Sequence, residues 1–182
     1  MIKYILIVVG VLLILYVFIM FNKLIKANNK VKEAFSTMDV YLKKRWDLIP
    51  NLVEVVKGYA KHESDTLKGV IELRNKPYDS LNIDEKVKTN EEVNRNLTKI
   101  LALTENYPEL KANNNFIKLS SELSSVEDEI AQSRKYFNAV VRDFNNLVEM
   151  FPSNIISKLI GYKTKNMFSI NENERNNIKV EL

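Results

Sequence analysis

KKRWDLIPNLVEVVKGYAKHE, residues 43–63, decides the fold. Trp46, Ile49, Leu52, Val53, Val56, Tyr59 and Ala60 recur in steps of three and four, which puts them on one side of a 3.6-residue helix. Pro50 stands in the middle of that seam. It has no N–H to give to the Trp46 carbonyl and its ring crowds that carbonyl, at a cost of roughly 3 kcal/mol in a helix interior. The seam nevertheless passes Pro50 without losing phase, which favours a kinked continuous helix. A break has its own signal, because Asn51-x-x-Glu54 can cap a new helix start. In either case two helical arms share one buried face.

The seam extends outward in both directions. Upstream it runs through Val31, Phe35, Met38 and Leu42 in alternating steps of four and three, as in coiled-coil-like packing. Downstream it continues through His62 or Glu63, Leu67, Val70, Ile71 and Arg74, and Pro77 marks an end near Asn75 or Lys76. Further upstream lies YILIVVGVLLILYVFIMF, Tyr4 to Phe21, without a charge. Its 18 residues span about 27 Å as a helix, close to the ~30 Å hydrocarbon core of a bilayer. It is too long for the apolar region of a cleaved signal peptide, and Phe21-Asn22-Lys23-Leu24 is wrong for cleavage. An uncleaved anchor is expected over residues 1–27, with the span at about 4–21. Lys23, Lys26, Lys30 and Lys32, then Lys43, Lys44 and Arg45, outweigh Lys3 on the other side. The positive-inside rule then places the N-terminus outside and the large domain in the cytoplasm.

After the seam, Tyr78 to Lys88 reads as a loop, and Thr89-x-x-Glu92 as a capping box. The helix that follows turns Val93, Leu97, Ile100, Leu101 and Thr104 inward and stops near Asn106, before Pro108. Residues 107–112 form a connector, and Asn113, Asn114 or Asn115 can cap the next helix. That helix has the cleanest period: Phe116, Leu119, Leu123, Val126, Ile130, Ser133, Phe137, Val140, Phe144, Leu147 and Phe151. At ~1.5 Å per residue it would reach about 54 Å, which calls for a long partner, and the Val31–Arg74 arm is the candidate. Pro152 ends it. A short helix follows, with Ser153 as N-cap and Gly161 just past its end. The polar tail, residues 169–182, is expected to be mobile.

Composition agrees. Four glycines and four prolines in 182 residues argue against a turn-rich β fold, and the absence of cysteine excludes disulfides and thiolate zinc sites. The net charge is +4, but basic and acidic residues are interspersed along helices, the pattern of a solvated surface rather than of a nucleic-acid face.

Five motifs then line up in one order: RWDLIPNLVEVVKGYAKHE at 45–63, ENYPELKANNNF at 105–116, EDEIAQSRKYFNAVVRDFN at 127–145, FPSN at 151–154 and GYKTKNMF at 161–168. Together they resemble the LemA family of bacterial membrane proteins over nearly the whole chain. The resemblance implies a short N-terminus outside, one anchor and a mostly α-helical bundle, and it implies no agreed enzymatic activity. Where the family favours Tyr-Asn pairs on the long helix, this chain has Phe137-Asn138 and Phe144-Asn145.

Chemistry finds little purchase. A zinc-protease helix needs His-Glu-x-x-His, but His62 is the single histidine and the fifth position holds Thr66. A di-iron bundle needs Glu-x-x-His, and Tyr59 stands where the Glu would be. A phospho-accepting His62 fits a helical bundle superficially, yet no glycine-rich nucleotide loop accompanies it. Glu127 and Asp128 could exchange protons only in a cleft. Glu127 and Arg134 on one face, and Asn138 and Asn145 seven residues apart, read as polar groups fixing helix register.

The reading is therefore all-α: an N-terminal transmembrane helix followed by an antiparallel bundle of long helices over residues 28–168. The expected role is a membrane-anchored, non-enzymatic interaction or scaffold protein in a bacterial plasma membrane. The rival is a signalling relay through His62. Neither cofactor nor metal nor nucleic acid is expected. The expected partners are the lipid bilayer, a protein, or a second copy of the chain. The motif positions without an assigned role are Arg45, Asp47, Pro50, Asn51, His62, Glu63, Tyr107, Pro108, Arg134, Asn138, Asn145, Phe151 and Pro152.

Overall fold

The computed structural model describes residues 1–60, 68, 69, 72 and 77–168. Over these residues the chain is helical, with no strand. Helix α1 spans Ile2–Tyr59 and carries Pro50 inside it. A 3₁₀ turn at Tyr78–Ser80 precedes α2, Ile83–Asn106. Then come α3, Pro108–Lys111, the long α4, Asn114–Glu149, and α5, Ser153–Ile160. An extended segment, residues 162–168, closes the described chain. The continuous reading of the Pro50 region is correct. Asn51 caps nothing, and lies exposed within the helix.

The buried stripe of α1 is regular: Leu24, Asn28, Val31, Phe35, Met38, Leu42, Arg45, Ile49, Leu52 and Val56. Steps of four and three alternate without interruption, the repeat of a knobs-into-holes seam. One member differs from expectation. The buried residue at this point of the stripe is Arg45, 1% exposed, and Trp46 beside it is half-buried. Tyr59 is also displaced from the seam, with its ring exposed and its hydroxyl accepting from Asn113 Nδ2 at 2.8 Å.

The chain divides into two compact units, Thr37–Ser133 and a second made of Met1–Ser36 with the residues from Arg134 onward. Helices α1 and α4 contribute to both. In the unit of residues 37–133, Arg45 lies against Glu127 and Tyr59 against Asn113, so α1 and α4 run antiparallel. Its apolar core joins Ile49, Leu52, Val53 and Val56 of α1 to Val93, Leu97 and Ile100 of α2, Leu110 of α3, and Phe116 and Leu123 of α4.

Two sequence readings of α2 need correction. Its capping box is Asn82–Glu85, with Glu85 N–H donating to Asn82 Oδ1 and the Asn82 N–H to the Glu85 carboxylate. The N-cap therefore lies seven residues before Thr89, which is buried inside the helix rather than capping it. Leu101, expected inward, is exposed, and Leu103 is buried instead. The connector at 107–112 contains the single-turn α3, with Pro108 at its first turn, where a missing N–H costs nothing. Helix α4 starts as expected, with Asn113 Oδ1 accepting from the N–H groups of Asn115 and Phe116.

In the other unit, Phe35 of α1 meets Phe137 of α4 edge-on at 5.9 Å. The buried residues of α4 continue through Val140, Val141, Phe144 and Val148. The row expected to end on Phe151 stops short of it. Helix α4 ends at Glu149, the Phe151-Pro152 peptide is cis, and Phe151 is 79% exposed. Leaving the helical repeat, Phe151 no longer shares the face of Phe137 and Phe144. Nor is Ser153 an N-cap. Pro152 holds that place, and the Ser153 hydroxyl donates to the Met150 carbonyl. Gly161 ends α5 at φ 80°, a left-handed conformation that suits glycine.

Candidate functional site

Three arrangements stand out, two of them in the unit built from the chain ends. The first is where α1 changes character. From Met1 to Lys23 no residue is buried, and the apolar run is long and hydrophobic enough to cross a membrane. Both expected ends of the span, Tyr4 and Phe21, are exposed apolar residues of this run. Leu24, directly after it, is fully buried. Packing thus begins where the apolar run stops. Lys23, Lys26 and Lys30 share one face of α1 just beyond that point and line a shallow cleft with Val140, Asp143, Phe144 and Leu147 of α4. Lys23 opposite Leu147 and Phe35 opposite Phe137 make α1 and α4 antiparallel here too.

The second is a strap held by two asparagines. Asn138 Nδ2 donates to the Phe168 carbonyl and its Oδ1 accepts from the Phe168 N–H, both at 2.9 Å. Asn145 treats Lys165 in the same way, again at 2.9 Å twice. A carboxamide carries one acceptor and two donors, so it can pair with a peptide unit as a neighbouring strand would. Serine and threonine are too short to do both, and this explains asparagine at the seven-residue repeat. Aromatic contacts complete the strap: Phe168 on Phe137, Tyr162 on Phe144, the Arg134 guanidinium over the Phe168 ring and Lys165 Nζ over the Phe144 ring. Partial burial and the nearby Lys32 lower the Lys165 pKa.

The third is the polar centre of the other unit. Arg45 donates to Glu127 Oε1 at 2.7 Å, to Asn94 Oδ1 at 2.6 Å, and to Asn90 Oδ1. The planar guanidinium spreads several donors at fixed angles, and three acceptors from two helices meet it. Beside it, Asp39 takes the Tyr78 hydroxyl at 2.8 Å and Lys86 Nζ at 2.6 Å. Burial and the Asp39 acceptor hold the Tyr78 phenol well above its usual range, so it stays protonated and donates. Trp46 packs against Tyr78 with ring centroids 5.4 Å apart and the rings tilted by 37°. These bonds hold α1 against α2, against α4 and against the 3₁₀ turn that carries Tyr78. Asn90 and Asn94, one turn apart on α2, escaped the sequence reading because their value depends on Arg45, far away in sequence. Tyr78 escaped because it lies in a stretch read as a loop.

The remaining motif positions are dispersed. Asp47 is exposed and pairs with Lys43. Pro50 is half-buried inside α1, Tyr107 packs against the apolar core, and Pro108 is exposed. Pro152 is exposed beside Phe151. His62 and Glu63 lie outside the described residues, as do the seam positions Leu67, Val70, Ile71 and Arg74, the expected helix end near Asn75, and the tail. Arg45, counted among the positive flank of the span, faces inward to Glu127, leaving Lys23, Lys26, Lys30 and Lys32, then Lys43 and Lys44, to carry the flank's charge.

These features define a class: an α-helical bundle protein whose first helix begins as an exposed apolar run and continues, unbroken, into a packed core. Residues 34–182 match the LemA family, and the chain belongs to it. It is also similar to Protein LemA of Metamycoplasma hominis, with 26% identity over 158 residues, 85% of this chain and 71% of that protein.

Proposed function

We propose that this chain is a single-span, membrane-anchored interaction protein without enzymatic activity. Its short N-terminus lies outside a bacterial plasma membrane and its bundle lies in the cytoplasm, where it presents helix faces to a protein partner or a second copy. The observation that carries the reading is the passage at Lys23–Leu24, where exposed apolar helix becomes packed helix with no intervening turn. A packed unit joined in this way is held close to the bilayer, which suits presentation of a surface. The orientation rests on the lysine face that follows the span.

The test is twofold. A reporter active only in the cytoplasm, fused after Leu182, is expected to be active; an inactive fusion, with an active counterpart of the exported type, overturns the orientation. In-cell crosslinking of the anchored chain is expected to yield a discrete adduct. Acid-labile phosphate on His62 after incubation with a phosphodonor would overturn the non-enzymatic reading.

A further inference from the structure

The chain from Met150 to Gly161 carries an apolar surface that the bundle does not use. Phe151 is 79% exposed and Leu159 83%, the highest values for any large apolar residue beyond the span among the described residues, and Met150 and Ile155 are exposed beside them. Helix α5 is two-faced. Ser153, Ile156 and Ser157 are buried, with the Ser157 hydroxyl donating to the Val148 carbonyl at 3.0 Å, while Ile155 and Leu159 point away. By contrast, Phe35, Phe137, Phe144 and Phe168 of this unit are buried in ring-to-ring contacts. Exposed Phe, Leu, Ile and Met within ten residues form a patch that asks for a cover.

The position of this patch names its cover. Helix α4 runs antiparallel to α1, and Leu147 shares a cleft with Lys23, two residues after Phe21 at the end of the apolar run. Met150 and Phe151 continue from α4 toward the side where the span enters lipid. The Lys23, Lys26 and Lys30 face meets α4 up to Leu147, three residues before Met150, with Asp143 the one acid in the cleft wall, and Lys158 and Lys163 lie within four residues of Leu159 in sequence. An apolar edge rimmed by lysines at the level of the headgroups is the pattern of an interfacial, monotopic contact with an anionic bilayer.

We propose that the α4–α5 corner is a second lipid-contacting surface: Phe151 and Leu159 enter the headgroup–acyl boundary of the leaflet that the span has just left, and the lysine face holds anionic headgroups. The occupant is the bilayer itself. Two contacts would fix the tilt of this unit as well as its height. This second contact presupposes the anchored chain proposed above, and the test separates the two.

The chain has no cysteine, so single cysteines report one position each. Leu13→Cys in the span, Phe151→Cys, Leu159→Cys and the exposed α4 site Lys135→Cys are labelled with an environment-sensitive fluorophore. Each full chain is reconstituted into phosphatidylcholine–phosphatidylglycerol vesicles containing lipids brominated on the acyl chain. Quenching is expected at 13, 151 and 159 and not at 135. Quenching at 13 with 151 and 159 as insensitive as 135 overturns the second contact and leaves the anchor standing. A blue shift at 151 without bromine quenching overturns it as well, since protein then covers the patch. No quenching at 13 overturns the anchor and this contact with it. Omitting phosphatidylglycerol is expected to weaken quenching at 151 and not at 13; equal quenching at 151 in both vesicles overturns the role of the lysines.

Discussion

Asn145 and Lys165 form a closed pair: the carboxamide donates to the Lys165 carbonyl and accepts from its N–H, each at 2.9 Å. The strap is thereby paired to α4 as if to a strand. Asn145→Ala removes both bonds at once. With a net value of about 1 kcal/mol per hydrogen bond, the loss of stability is expected to be about 2 kcal/mol, and the backbone of residues 162–168 should exchange hydrogen faster. Asn145→Asp keeps the acceptor and loses the donor, and is expected to fall between. Unchanged exchange in the strap of Asn145→Ala would show that the aromatic contacts alone hold it.

Arg45 is the second site where a single change has a large expected effect. Removing one partner of a buried charged network typically costs about 3–5 kcal/mol, because the others are left unpaired. Arg45→Ala leaves the buried Asn90 and the half-buried Asn94 without their donor and should lower the chemical unfolding midpoint sharply. Glu127→Gln is expected to cost much less. The Glu127 side chain is 41% exposed and reaches water, and Arg45 keeps both asparagines. Equal losses for the two variants would mean that the ion pair, rather than the asparagine shell, dominates.

The Phe row on α4 separates core from surface. Phe144 is 1% exposed and Phe151 79%. Phe144→Ala leaves a cavity and is expected to cost about 3–5 kcal/mol. Phe151→Ala and Lys135→Ala, both at exposed sites, should each stay within about 0.5 kcal/mol. Thermal melts of the full chain in detergent give the comparison. A large drop for Phe151→Ala would place that ring in the core.

What the sequence disclosed, and what it hid, follows from the range of each interaction. The α1 seam and the α4 row were legible because helical periodicity is local and needs no partner. The row failed at Phe151 because Pro152 ends the helix two residues earlier than the repeat suggests. Asn82–Glu85 and Thr89–Glu92 both satisfy a capping pattern, and local rules do not choose between them. The choice falls to packing, since Thr89 and Asn90 are needed on the buried face of α2. Arg45 was hidden for the opposite reason. A cation in an apolar seam makes sense only once Asn90, Asn94 and Glu127 are beside it. The lysine face was visible as a charge pattern, but its cleft required α4.

Pro50 tests the continuity of α1. Restoring an N–H there lets the Trp46 carbonyl accept within the helix and relieves the crowding of the ring. Pro50→Ala is therefore expected to fold, with a melting temperature equal to or above that of the parent. Unfolding of Pro50→Ala would show that a proline-imposed geometry is required for α1 to meet its partners in this unit.

Alkaline pH provides a test of the Tyr78 cluster. Burial first, and then the hydrogen bond to Asp39, raise the Tyr78 pKa above the value of about 10 that the unfolded chain has. A group with a raised folded pKa contributes stability that is complete below the unfolded pKa and is lost as pH climbs beyond it. Above pH ~10 the unfolded phenol ionises while the folded one holds its proton, so unfolding gains. Lys165 has the opposite sign. Its lowered pKa means that the folded state binds its proton less readily than the unfolded state. Stability from this group therefore rises with pH between the lowered value and the unfolded 10.5. The expected profile is a gain approaching pH 10 and a loss beyond it. Tyr78→Phe should flatten the loss above pH 10 while lowering stability at neutral pH, because Asp39 then keeps Lys86 but loses the hydroxyl donor. Lys165→Met should flatten the gain and leave the loss. If Tyr78→Phe loses stability above pH 10 as steeply as the parent, the phenol that titrates there is another tyrosine, and Tyr78 does not donate to Asp39 as the cluster requires.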